Sequence, residues 1–211
     1  MRLTQDLMHV RKHHNNDMPN YKSDDEQLRH LLYVAHRCWN TEHPKGATMS
    51  DLDKGFEIVI GVEGKYQSPQ QAVQRKDPGG ETKFGISKRE YPYLDIANLT
   101  IEQAKVIYKQ KYWDLIKGDE LPFPLNVFVF DSAVNQGVEA AKKLLQKTLN
   151  EKTDGIFGVS TLQKAKFANK EVMALYMADR VLRYTGTRNF DLDGRGWLKR
   201  LFLITMEVNQ T

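Results

Sequence analysis

The stretch "FEIVIGVEGKY", residues 56–66, carries a carboxylate where an apolar residue is expected. Phe56, Val59, Ile60 and Glu63 stand at i, i+3, i+4 and i+7, so a helix here puts all four on one face. Three of them belong in a core. Gly64 stops the helix just behind Glu63 and leaves that carboxyl in the last turn. Desolvation disfavours its ionised form, and the negative end of the helix dipole acts in the same sense, so both raise its pKa. A carboxylic acid kept protonated near neutral pH is what a glycosidase uses to protonate a leaving glycosidic oxygen. The same pattern also suits a buried glutamate paired with an arginine, or one that swings into water where the helix frays.

The segment "DPGGETKFGIS" that follows is dense in residues with positional meaning. Asp77 precedes Pro78, Gly79 and Gly80 allow a tight turn with exposed backbone, and Thr82 offers an uncharged hydroxyl. Inverting hydrolysis of a glycoside needs a second group that holds and activates water on the far side of the sugar. Asp77 suits that task with Thr82 helping to position the water, and Glu81 is a further carboxylate. Alternatively, Asp77 caps the turn, the glycines shape it and Thr82 bonds locally.

The elements around these residues read as mainly helical. Ser50 is an N-cap, with Asp51 and Asp53 in the first turn of the helix that ends near Glu63. Lys65 to about Pro92 reads as a long irregular segment with room for short β-strands, and long loops of this kind are usually functional or disordered. Thr100 and Gln103 form a capping box, with Ala104, Tyr108, Tyr112 and Leu115 following at helical spacing. "PLNVFVFDSAVNQG" holds an apolar run that suits a strand or a buried helix, and Pro124 and Gly137 at its ends favour the helix. "VEAAKKLLQKTLN" and "EVMALYMADRVLRY" are helical, and a last helix from about Gly196 aligns Trp197, Leu201, Ile204 and Val208. Asp131 and Asn135, four apart on one helix face, hydrogen-bond substrate or tie neighbouring helices together, and the tie is the favoured reading. The aromatics Tyr66, Phe84, Tyr91, Tyr93, Tyr112 and Trp113 flank the carboxylates in sequence. Taken singly each suits a core, but Tyr66 and Trp113 are the candidates to stack on a sugar ring.

Composition excludes several classes. With 211 residues, 40% hydrophobic and 27% charged, the chain is long enough for one sizeable core and is not disordered in composition. No apolar run approaches the roughly 18 residues of a membrane span, and the N-terminus lacks the apolar region of a secretory signal. One cysteine, Cys38, excludes an internal disulfide. The net charge of +4 favours an anionic partner such as nucleic acid, a membrane surface or cell wall. No basic stripe interleaved with aromatics supports nucleic acid. All six histidines lie in the first 43 residues, which marks a separate segment. His9 and His13 are four apart, but the glutamate of an HExxH site is absent, so no metal is expected. "DDEQLRHLLYVAHRCW" reads as an amphipathic helix followed by a linker.

The ordered blocks "VEGKY", "DPGGETKFGISKREYP", "YWDLIKGDELP", "FDSAVNQG", "DGIFGVSTL" and "GWLKR" resemble glycoside hydrolase family 108, the bacterial and phage N-acetylmuramidases with a lysozyme-like helical fold. The resemblance runs from about Ser50 to Arg200. It implies a catalytic lysozyme-like region over 50–120 and a helical region over 121–211 that contains a peptidoglycan-binding part at "DGIFGVSTL". It places the family's catalytic glutamate on Glu63 and, by similarity to other phage-type lysozymes, the base and water-holding pair on Asp77 and Thr82. It implies no cofactor. Val159 replaces a proline commonly seen at that helix start, and Lys65 replaces a glycine. A lysine there is strained by roughly 1–2 kcal/mol if the position needs a positive φ. Otherwise its charge stabilises ionised Glu63 or meets a substrate carboxylate, which makes Lys65 a substrate-contact candidate beside Tyr66 and Glu81.

The expected activity is hydrolysis of the β-1,4 bond between N-acetylmuramic acid and N-acetylglucosamine in bacterial peptidoglycan. The rivals are a lytic transglycosylase, which closes an anhydro ring without water, and a non-catalytic wall-binding module. Residues 1–49 fall outside the resemblance and read as a docking or restraining helical extension, for a phage particle or another protein partner. A chain of this kind is made in the host cytoplasm and reaches the wall through a pore or lesion, as a phage endolysin does, or within a phage particle.

Overall fold

A computed structural model describes residues 49–63, 66–75 and 77–209. The histidines, Cys38, the 24–39 stretch and Lys65 therefore lie outside the described residues. Eight α-helices, a π-helical turn, a short 3-10 helix and one two-stranded sheet make up the regular structure of the described residues.

Helix α1 spans Asp51–Glu63. Ser50 caps it: its Oγ accepts from the Asp53 N–H at 3.1 Å, while Asp53 Oδ2 accepts from the Ser50 N–H at 3.2 Å. Asp53 also takes a 2.7 Å ion pair from Lys105 of α3 (Ile101–Tyr108), so the cap pins α1 to a second helix. Phe56 and Val59 are fully buried, as the apolar stripe requires. Helix α3 starts at the expected reciprocal cap of Thr100 and Gln103.

Helix α4, Leu125–Gln136, resolves the ambiguous apolar run. Every residue from Leu125 to Ala133 is buried, and a helix buried on all sides belongs at the centre of a fold. It packs against α1, against α5 (Val138–Thr148) and against α7 (Lys170–Thr185). At Gly55 the packing is close: a Cβ there would lie 3.5 Å from Trp113, Val127 and Phe130, in ordinary van der Waals contact. Asp131 of α4 accepts from Arg180 of α7 at 2.6 Å and from Arg200 of α8 (Phe190–Val208) at 2.6 and 2.8 Å. That buried network ties three helices, the structural role open to Asp131. Helix α6 spans Val159–Lys166.

Three expectations need correction. The segment 65–92 is less irregular than its composition implies, because Pro69–Arg75 forms a short helix, α2. Its signal is the Ser68–Gln71 pair, which exchanges side-chain bonds to backbone N–H groups of 3.0 and 3.3 Å around Pro69 at the first helical position. The last helix starts at Phe190, ahead of Gly196. Finally, the helical phase after Tyr108 breaks: Lys109–Trp113 is a π-helical turn. Its wider turn rotates the register, so Trp113 and Ile116 enter the core while Leu115 stays 52% exposed.

Candidate active site

The site is built on a small sheet that follows α1. Strands β1 (Thr82–Lys83) and β2 (Ile86–Ser87) pair antiparallel, Thr82 opposite Ser87. Phe84 and Gly85 turn the chain with φ of 52° and 73°, the left-handed pair that a two-residue hairpin requires. Buried Ile86 anchors the hairpin, and the Phe84 carbonyl accepts from the Tyr108 hydroxyl at 3.0 Å. On the other edge Gln67 pairs with Thr82, exchanging N–H to O=C bonds of 2.8 and 3.0 Å. Thr82 is thus the middle position of a three-segment ladder.

Asp77 sits on the turn that feeds this ladder. Its N–H donates to the Ala72 carbonyl of α2 at 2.9 Å, and its Oδ1 accepts from the Gly79 N–H at 2.8 Å. Its Oδ2 accepts from Gln67 Nε2 at 2.8 Å. Gly80 takes φ of 74°, which a side chain would oppose. A Cβ on Gly79 would lie 3.1 Å from Asp77 Oδ1 and 3.7 Å from Thr82 Oγ1. Both candidate water-holding oxygens therefore flank one glycine. Thr82 Oγ1 also donates to the Gly80 carbonyl at 3.1 Å, the local bond of a turn-forming threonine. Asp77 is exposed, and the Gln67 amide, followed by the Gly79 N–H, holds its carboxyl below the usual carboxylate range. It is ionised and keeps lone pairs for water.

Glu63 is the last residue of α1; its side chain lies outside the described residues. Chain length alone keeps it close to the ladder: four residues on is Gln67, a span of at most about 14 Å. Tyr66 and Glu81 are joined directly, the phenol donating to Glu81 Oε1 at 2.8 Å, and that bond pushes the Tyr66 pKa up. Tyr66 is 44% exposed and available to a sugar face.

Two candidates fall elsewhere. Trp113 is fully buried, with Nε1 donating to Asp119 at 2.8 Å and its ring edge-on to Phe130, so it is a core residue and not a stacking platform. Gly118 covers it so closely that an added Cβ would be 2.3 Å from the ring. Asn135 is exposed at the end of α4, and its amide bonds back to Asp131 of the same helix rather than across helices. Tyr93, 65% exposed, is an aromatic that the sequence did not single out for sugar contact. Nor did it single out Gln67, whose role only its partners reveal.

Residues 56–137 match the family model described as Glycosyl hydrolase 108. The span opens on Phe56 of α1, closes at the Gly137 turn after α4, and contains Glu63, Asp77 and Thr82. The chain is a glycoside hydrolase. Among solved structures, that of Brucella abortus SagA resembles the hydrolase with a TM-score of 0.63 at 27% identity, over 75% of this chain and 94% of that chain. No curated protein matches the sequence. The fold of the hydrolase is the mainly α, lysozyme-like one expected. No described helix is long and apolar enough to cross a membrane. The "DGIFGVSTL" block lies beyond the matched span. There Gly155 and Ile156 are locked by bonds of 2.7 Å to Gln146 and 2.9 Å to Asp154.

Proposed function

We propose that the hydrolase is an N-acetylmuramidase that cleaves the β-1,4 bond between N-acetylmuramic acid and N-acetylglucosamine. Glu63 protonates the leaving oxygen, and Asp77 with Thr82 directs the attacking water. Tyr66, Glu81 and Lys65 contact the glycan or its peptide carboxylates. The helical region over 121–211, with the "DGIFGVSTL" turn, adds contacts to the wall. Residues 1–49 dock the enzyme to a partner, and delivery follows the endolysin route. The observation that carries the reading is that Asp77 and Thr82, two residues of the matched span, flank a single glycine on a ladder that begins just after the end of α1.

Lytic transglycosylation is the second reading. Both Asp77 oxygens accept hydrogen bonds, which weakens the carboxylate as a base, and that chemistry needs no base for water. Mass spectrometry of fragments released from purified peptidoglycan by wild type and Glu63→Gln separates the two. Reducing-end muramic acid from wild type alone supports the muramidase. Anhydro-muramic ends replace it with a transglycosylase, and release by Glu63→Gln at the wild-type rate removes Glu63 from the mechanism.

A further inference from the structure

We propose that Gln67 is a positioning residue that sets both the orientation of the Asp77 carboxylate and its register with Thr82; the inference rests on the roles just given to that pair. Gln67 is 9% exposed, and every polar group it carries is engaged. Its Nε2 donates to Asp77 Oδ2 at 2.8 Å and to the Gly80 carbonyl at 3.2 Å. Its Oε1 accepts from Arg75 Nη1 at 3.2 Å. A guanidinium can only donate, and a carboxylate or carbonyl oxygen can only accept, so Arg75, Asp77 and Gly80 together fix which end of the amide faces Asp77. The Gln67 backbone meanwhile makes both ladder bonds to Thr82. One buried residue thus grips Asp77 by its side chain and Thr82 by its main chain.

The arrangement has a chemical consequence as well as a mechanical one. An amide N–H favours the ionised form of the carboxylate it meets. Among the described residues, Arg75 is the charged side chain that acts on Asp77, and it favours the same form. Replacing Gln67 by leucine removes the amide donor, so the Asp77 carboxyl gains its proton at a higher pH and the acid limb of activity moves up. The Gln67→Glu variant turns a second carboxylate on Asp77 and moves the limb further. Arg75→Ala, at an exposed site, removes the charge that favours ionised Asp77 and the donor that holds Gln67 Oε1, with a smaller shift in the same direction.

The test is the pH profile of fragment release from purified peptidoglycan by the full chain. Gln67→Leu is expected to lower kcat roughly 10- to 100-fold with little change in KM, and to move the acid limb upward. Combined with Asp77→Asn it should add nothing, because both act through one carboxylate. A purely structural role predicts lower activity with the limb unmoved, or losses that add to those of Asp77→Asn; either overturns the proposal. Should Gln67→Leu fail to fold, an unmoved limb in Gln67→Glu overturns it too. Full activity in Asp77→Asn alone instead removes Asp77 from the mechanism, a failure of the underlying reading that is recognisable by itself.

Discussion

Two aspartates in this protein receive their hydrogen bonds in opposite surroundings. Asp131 is completely buried between Arg180 and Arg200, and its carboxylate takes charged donors from two other helices besides the Asn135 amide of its own. Asp77 is exposed on a glycine turn and is held by a neutral amide and one backbone N–H. The first arrangement joins α4, α7 and α8 and leaves no access to water. The second keeps a carboxylate ionised, oriented and wet. Hydrogen bonding alone therefore does not separate a structural acid from one proposed to direct water. The charge of the donors and access to solvent do.

Truncating each acid in turn is the most severe test of that contrast. Asp131→Ala leaves two buried guanidinium groups without their anion and should cost about 3–5 kcal/mol of stability, read as a lower urea midpoint. Asp77→Ala should barely move that midpoint yet reduce fragment release by about 10²-fold or more. If the two phenotypes exchange, the assignment of roles is wrong.

A steric test probes the packing that hides Trp113. Gly118→Ala drives a methyl into the indole face and is expected to cost about 1–3 kcal/mol, seen in thermal unfolding, without changing the products released. A Trp113 that contacted sugar would instead respond through KM.

The pH dependence of stability extends the contrast to a third acid. Burial pushes the Asp53 pKa up, but the bonds from Lys105 and Ser50 and the Lys105 charge outweigh it, so the folded value is lowered. Its stabilisation is therefore present above the ordinary carboxylate pKa of about 3.9 and is lost as pH falls through the lower folded value. Wild type should lose more stability than Asp53→Asn between neutral pH and acid, by urea titration at each pH; equal losses would refute the pairing. The smallest effect is local: Thr100→Ala removes the α3 cap and should cost about 1 kcal/mol, visible as a small drop in the urea midpoint.

Much of the frame was legible because it rests on local chemistry. Ser50 and Thr100 cap helices wherever their partners follow at three residues, and both do so here. The run Val127–Phe130 lacked a period because it is buried all round, and Pro124 and Gly137 supplied the boundaries that the period could not. The Ser68–Pro69–Gln71 start of α2 was equally readable but was submerged in a segment dominated by its glycines. The stripe Ala104, Tyr108, Tyr112, Leu115 broke because extrapolating a 3.6-residue phase fails across a π-helical turn, which carries Trp113 inward instead of Leu115, and no residue type announces that turn.

The helical class, the cap positions, the acids beside a glycine turn and the resemblance that linked them to glycoside chemistry were all written in the chain. They follow from short-range rules in which neighbours in the chain are neighbours in space. Three further facts required the packed molecule: Asp77 and Thr82 share one glycine, Gln67 grips both, and Asp131 belongs to the arginines of distant helices. Those pairings span 10 residues for Gln67 and Asp77 and up to 69 for Asp131 and Arg200. Contacts across such separations are set by how whole elements pack, and packing minimises buried charge and lost hydrogen bonds over the entire core rather than along the chain.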